Sequence, residues 1–66
     1  MTITLNGEPY ALTRGETITE LLARLGIDPR GVAVERNFLV VKRDAYSTTQ
    51  VEEGDQIEIV NFVGGG

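Results

Sequence analysis

The chain has 66 residues and a formal net charge of −4, from 6 Lys and Arg against 10 Asp and Glu, and it contains no His or Cys. This length limits it to one domain. The absence of Cys excludes disulfides, thiolate zinc sites and a cysteine nucleophile, and the absence of His removes the commonest general base. The negative charge argues against nucleic-acid binding, and no apolar run approaches the length of a membrane span. We expect a soluble, cytoplasmic protein without a signal peptide, metal or cofactor.

The first twelve residues predict a β-hairpin. Apolar and polar residues alternate up to Leu5, and Asn6-Gly7 is a strong signal for a type I′ turn because both of its central positions need positive φ. This turn pairs Leu5 with Glu8, Ile3 with Tyr10 and Met1 with Leu12. Paired residues share a face, so Tyr10 and Leu12 are predicted to join Ile3 and Met1 against the core.

Pro9 predicts where this hairpin lies in the sheet. It falls opposite Thr4 in a non-hydrogen-bonded pair. The N–H that proline lacks would therefore have pointed away from the first strand. A proline is tolerated there only if the second strand is an edge. The first strand then needs another neighbour, and the last apolar run, over 57–63, is the best candidate.

A helix is predicted next. Ile18, Leu21, Leu22 and Leu25 have the spacing of one apolar helix face. Thr17 and Glu20 form a capping box, Gly26 occupies the position of a left-handed residue after the helix, and Ile27 can pack back on Leu22. Asp28-Pro29 then ends the segment.

The remaining elements predict the fold class. Strands are expected over 32–34 and 38–41 around an Arg36-Asn37 turn, followed by a polar segment anchored by Tyr46 and a last strand over 56–63. The order of elements is typical of the α+β, β-grasp (ubiquitin-like) fold, a mixed sheet of four to five strands with one main helix packed across it. We expect a single domain over 1–63 and a flexible glycine tail over 64–66.

The chemistry is predicted to lie at the C-terminus. No pair of side chains has the spacing of a general acid and base, and no phosphate-binding motif occurs, so we do not expect an enzyme. Gly64, Gly65 and Gly66 form a slim tail without Cβ atoms, which could thread a narrow channel and present a carboxylate for activation. A frayed terminus is the plainer interpretation of a glycine run.

Two features of the last third of the chain would favour the binding of a partner near the C-terminus. Along the last strand Val60 and Phe62 are predicted on the face opposite Ile57 and Ile59, where they would form an apolar patch beside the tail. Residues 44–66 carry no basic group but five acidic ones, which would favour docking to a basic groove. For any single carboxylate, a plain solvated position is the simpler interpretation.

The chain resembles the ThiS family, the sulfur carriers of thiamine biosynthesis. The resemblance covers nearly the whole chain and is most specific over 53–66, which combine the Glu53-Gly54-Asp55 turn, an alternating strand and the terminal glycines. It also includes residues 3–8, 17–22 and 32–37. Two details depart from the family pattern, namely Asn37-Phe38 in place of a frequent Asn-Gly, and Lys42-Arg43 in place of a frequent proline before an arginine.

The resemblance implies a cycle at Gly66. An adenylyltransferase of the ThiF type would use ATP to adenylate the Gly66 carboxylate, and a sulfur relay fed by a cysteine desulfurase would convert it to a thiocarboxylate. Thiazole synthase (ThiG) would then take the sulfur. Gly64 and Gly65 would enter the channels of both partners, while Val60, Phe62 and Val63 would form the partner-binding surface.

Four alternatives stay open at this point, and one of them is another sulfur carrier, for tRNA thiolation or cysteine synthesis. The MoaD family, the small subunit of molybdopterin synthase, shares the fold, the Gly-Gly end and the thiocarboxylate. A ubiquitin-like modifier would form an isopeptide bond through Gly66, although Lys42, the single lysine, limits self-linked chains to one site. A plain interaction module would leave the tail inert.

Overall fold

A computed structural model describes residues 1–62 of the protein, which form one mixed sheet of five strands and one main helix. The strand order is β2-β1-β5-β3-β4, and single 3-10 turns occupy Pro29–Gly31 and Arg43–Ala45. The strands are β1 (Thr2–Leu5), β2 (Glu8–Ala11), β3 (Val32–Arg36), β4 (Leu39–Val41) and β5 (Gln56–Asn61), and the helix is α1 (Ile18–Arg24). The predicted architecture of a mixed sheet with one helix is therefore present.

The first hairpin has the predicted turn and register. Asn6 and Gly7 both have positive φ, 49° and 85°, and the backbone pairs Leu5 with Glu8 and Ile3 with Tyr10. Pro9 of β2 lies opposite Thr4 of β1, and β2 is an edge strand. On its other side β1 runs parallel to β5. The topological prediction from Pro9 is confirmed.

Both ends of α1 are capped as the sequence predicts. Thr17 and Glu20 form the reciprocal capping box, with 3.1 Å from the Glu20 amide to the Thr17 hydroxyl. At the other end Gly26 has a φ of 72°, and Ile27 donates its amide to the Leu22 carbonyl at 2.9 Å, which completes a Schellman motif. Among residues 1–62, no helix is long and apolar enough to cross a membrane.

The core lies between α1 and one face of the sheet. Tyr46, predicted as the anchor of the polar segment, is 4% exposed, and its carbonyl accepts the amide of Thr19 in the first turn of α1. The loop before β5 therefore satisfies helix amides that have no partner within the helix. The buried apolar side chains are Ile3, Leu12, Ile18, Leu21, Leu22, Val32, Val34, Tyr46, Val51 and Ile57.

The turn of the second hairpin lies one residue later than predicted. Arg36 belongs to β3, and the turn consists of Asn37 and Phe38, both with positive φ, 54° and 70°. Asparagine tolerates this left-handed region, but an aromatic residue does so only with strain, which is why the sequence pattern places Phe38 in the strand instead. The Phe38 side chain is 73% exposed, so little packing offsets that strain.

Replacing Phe38 with glycine should therefore stabilise the fold. Because glycine adopts positive φ without steric cost, we expect Phe38→Gly to raise the free energy of unfolding by about 1 kcal/mol. Urea unfolding monitored by circular dichroism measures this difference. Phe38→Ala is the matched control, since it removes the ring and keeps the strained Cβ. If Phe38→Gly were no more stable than Phe38→Ala, the turn would not be strained.

Candidate functional site

The end of β5 presents two exposed apolar side chains on the face of the sheet that α1 does not cover. Val60 is 56% exposed and Phe62 is 51% exposed, whereas Ile57, on the opposite face of the same strand, is fully buried. The Phe62 amide donates to the Gly31 carbonyl at 2.9 Å, so backbone pairing continues to the last described residue. This arrangement is the one that the alternation of the strand predicts.

The other predicted site residues lie outside the described residues. These are Val63, Gly64, Gly65 and Gly66. The backbone that leads to them is held by its neighbour in the sheet, because Val60 pairs with Ala33 and Asn61 with Val32. Any partner that engages residues beyond Phe62 therefore meets an ordered strand end flanked by Val60 and Phe62.

Two carboxylates lie on this face of the sheet, one row away from Val60. Glu58 of β5 is directly opposite Glu35 of β3, and both side chains are half-buried. Like charges that face each other across a sheet are unfavourable, and a cation from outside the chain would relieve their repulsion. The apolar end of β5 is thus flanked by negative potential, which favours a partner with a basic rim.

The acidic segment as a whole does not form a free docking flank, which corrects part of the charge prediction. Asp55 is only 6% exposed and accepts a hydrogen bond from the Arg36 guanidinium at 2.7 Å. Glu52 contacts the same guanidinium at 3.5 Å, and Glu53 accepts the Thr2 amide at 3.0 Å. These partners are distant in sequence. The pattern of charges alone therefore did not indicate that the three carboxylates form contacts within the folded chain.

Asp55 is the electrostatic centre of the turn that starts β5. Burial raises the pKa of its carboxyl, but hydrogen bonds from Arg36, the Glu52 backbone and Asn37, together with the charge of Arg36, outweigh burial and hold that pKa below its ordinary value of 3.8. The ionised carboxylate therefore stabilises the folded state above about pH 4, and this contribution is lost as pH falls through the lowered pKa.

Removing the Asp55 charge should make this linkage visible. We expect Asp55→Asn to lower the free energy of unfolding by about 1–3 kcal/mol at pH 7, because donors that face the carboxylate lose their charged acceptor. The difference from the unmodified chain should begin to shrink below about pH 4, where Asp55 of the unfolded chain becomes protonated, and should be lost as pH falls through the lowered pKa of the folded state. Urea unfolding at several pH values measures both effects. A difference that stayed constant down to pH 2 would contradict the linkage.

Comparison of Asp55→Asn with the unmodified chain at each pH is needed because other carboxylates also titrate. Hydrogen bonding to Arg24 lowers the pKa of the buried Glu16, and hydrogen bonding to the Arg30 side chain and backbone lowers the pKa of Asp28 to about 2. Both groups contribute to acid destabilisation in either chain. Their contributions cancel in the difference that isolates Asp55.

A second exposed apolar cluster, which the sequence reasoning missed, lies at the opposite end of the sheet. Phe38, Leu39 and Val40 are 73%, 73% and 72% exposed. The cluster is at the β3–β4 turn, whose neighbour in β5 is the first residue of that strand, Gln56. Gln56 and Val60 are four positions apart along β5, on the order of 13 Å. The continuous apolar run 38–41 indicated a strand, but its period could not show which side chains face solvent.

Residues 1–62 contain no arrangement typical of a metal centre, since no three His, Cys, Asp or Glu side chains come together there. The chemically relevant features of the described part of the chain are therefore the ordered end of β5, its two apolar side chains and the flanking carboxylates.

Comparison with known proteins agrees with this description. The model of the ThiS family matches residues 3–66. A sulfur carrier protein ThiS from Escherichia coli is 32% identical over 66 residues, which are 100% of both chains. A crystal structure of a thiamine biosynthesis protein (ThiS) from Geobacter metallireducens superposes with a TM-score of 0.88 at 38% identity and covers 100% of both chains. The β-grasp fold is confirmed by this similarity.

A longer relative carries a similar segment. A thiazole synthase from Magnetococcus marinus is 52% identical over 66 residues, which are 100% of this chain and 20% of that protein. The chain thus spans about a fifth of the length of this relative. A segment similar to the whole chain is joined there to a much larger remainder.

Proposed function

The chain belongs to the ThiS family, and from this we propose that it carries sulfur for thiazole formation in thiamine biosynthesis. The match of the family model to residues 3–66 is the observation that carries the proposal, because it includes the glycine segment as well as the folded part. In this proposal, residues 1–63 form the recognition domain, and the tail over 64–66 enters the partners. The protein acts as a carrier and co-substrate, not as an enzyme by itself.

The first step is activation of the Gly66 carboxylate. A ThiF-like adenylyltransferase binds the carrier and ATP, a carboxylate oxygen attacks the α-phosphorus, and pyrophosphate leaves. The product is an acyl-adenylate, which raises the reactivity of a carboxylate that would otherwise be a poor electrophile. Gly64 and Gly65 suit this step because the absence of Cβ atoms allows an extended chain to pass through a narrow channel.

The second step exchanges AMP for sulfur. A persulfide sulfur from a relay fed by a cysteine desulfurase attacks the activated carbonyl and AMP leaves. A thiol of the relay then cleaves the resulting acyl disulfide, which releases the Gly66 thiocarboxylate and leaves a disulfide on the relay. Thiazole synthase (ThiG) then accepts the sulfur. Support for this acceptor comes from the relative named thiazole synthase, which joins a segment similar to this chain to a larger protein. Because the cycle consumes ATP, we expect it to run in the cytoplasm.

Val60, Phe62 and Val63 are proposed as the surface that the activating enzyme grips. Support comes from the exposure of Val60 and Phe62 and from the backbone pairing that orders β5 up to Phe62. Apolar side chains that surround an ordered strand end can supply binding energy, while the tail stays available for the reaction. Glu35 and Glu58 beside them would favour encounter with a basic partner surface.

Removal of the last two glycines tests the reaction site. A variant that lacks Gly65 and Gly66 should fold with an unchanged unfolding midpoint, because it keeps residues 1–62 and with them the whole described sheet and core. It should give no carrier-dependent ATP–pyrophosphate exchange with a ThiF-type enzyme, since the carboxylate no longer reaches the nucleotide. If the shortened chain were adenylated as well as the full chain, the tail would not be the reaction site.

A pair of matched double variants tests the docking surface. Val60→Ser with Phe62→Ser should raise the KM of adenylation about tenfold or more, which corresponds to about 1.4 kcal/mol of lost binding energy. Val40→Ser with Phe38→Ser changes the same residue types in the β3–β4 hairpin, where β4 is separated from β5 by β3 and exposure is comparable, and should leave KM unchanged. Equal effects of the two pairs would contradict a docking surface at the end of β5.

A further inference from the structure

The two hairpin turns interact with β5 in the same way, at opposite ends of the strand. Asn6 and Asn37 each occupy the first central position of a type I′ turn, with φ of 49° and 54°. The backbone amide of Asn6 donates to the Ile57 carbonyl at 2.8 Å, and that of Asn37 donates to the Gln56 carbonyl at 2.7 Å. Both side chains then make two further hydrogen bonds, and here the two asparagines differ.

The Asn6 side chain continues the sheet beyond the end of β1. Within residues 1–62 the parallel pairing of β1 and β5 stops at Leu5 and Ile57. One step further, the Ile59 amide donates to Asn6 Oδ1 at 2.7 Å, and Asn6 Nδ2 donates to the Ile59 carbonyl at 3.2 Å. A carboxamide has the same donor and acceptor as a peptide group, so the side chain takes the place of the next residue of β1.

The Asn37 side chain contacts the other end of β5. Asn37 Oδ1 accepts the Gln56 amide at 2.9 Å, and Asn37 Nδ2 donates to the Asp55 carboxylate at 3.1 Å. These contacts fix the start of the strand, about as far from Phe62 as the sheet allows. Asn37 is therefore a matched control for Asn6, because the two share residue type, turn position and number of hydrogen bonds.

We propose that Asn6 is a positioning residue for the carrier reaction, because its carboxamide fixes the half of β5 that delivers the C-terminal tail to the activating enzyme. The inference rests on the proposed function for its catalytic consequence. Without this side chain, residues 58–61 are held by β3 alone, since the β1 backbone has turned away. A strand end with one neighbour samples more orientations, and a smaller fraction of free carriers then has the orientation that the enzyme binds.

Asn6→Gly and Asn37→Gly make the matched test, since glycine also suits a type I′ turn and removes only the carboxamide. Amide hydrogen exchange followed by NMR, with both variants folded, measures the structural part. In Asn6→Gly we expect faster exchange at Ile59 and also at Phe62, whose amide bonds Gly31 and not Asn6. In Asn37→Gly, exchange should accelerate at Gln56, with Phe62 unchanged. Unchanged exchange at Phe62 in Asn6→Gly would overturn the proposal.

Adenylation kinetics measure the functional part. Asn6→Gly should raise the KM for the carrier about fivefold with kcat unchanged, because the enzyme binds the competent fraction and docking then restores the strand end. Asn37→Gly should leave both constants unchanged at comparable stability. Equal changes in the two variants would reduce Asn6 to a stabilising residue and overturn the proposal. If the unmodified chain were not adenylated at all, the proposed function would fail, and hydrogen exchange at Phe62 alone would decide the role of Asn6.

Discussion

The central position of β5 is the constraint on which the rest of the structure depends. The two hairpins, β1–β2 and β3–β4, have no common edge except through this last strand, which pairs in parallel with β1 and antiparallel with β3. Its inner side chain Ile57 is fully buried beneath α1, so the sheet and core are complete only when the strand is inserted. The strand that closes the fold is also the one that leads to the C-terminal glycines.

This constraint explains why a small domain can hold the end of its last described strand in a defined position. Pairing with β3 extends to Asn61, and the Phe62 amide donates to the Gly31 carbonyl just before β3. The Asn6 carboxamide holds the opposite edge of β5 at Ile59, where β1 has ended. Asp55, bound to Arg36, fixes the start of the same strand. In the proposed cycle the domain positions the strand end and offers side chains for docking, while the partner enzymes supply the catalytic groups.

Local signals were sufficient for much of the fold, and residues distant in sequence account for what was missed. The Asn6-Gly7 turn, the edge position of Pro9 and the caps of α1 depend on neighbours within a few residues, so the sequence predicts them correctly. The turn at Asn37-Phe38 was predicted one residue early, because Phe38 adopts a conformation that aromatic residues disfavour. The hydrogen bond between Arg36 and Asp55 joins residues 19 positions apart, and the bonds between Asn6 and Ile59 join residues 53 positions apart. No local pattern reveals such contacts. For the site, alternation along β5 predicted the exposed Val60 and Phe62, whereas the roles of Val63 and of Gly64, Gly65 and Gly66 remain predictions.

The intact mass of the untagged protein, purified from its own cells grown with little thiamine, tests the central claim most directly. The account predicts a subpopulation heavier by the exchange of one oxygen for sulfur, and fragmentation should locate that exchange at Gly66. Incubation with ATP, a ThiF-type enzyme and a sulfur donor should convert the remaining carboxylate to the same species. A single unmodified mass both before and after that incubation, or a chain that continues beyond Gly66, would contradict a carrier that works through this carboxylate.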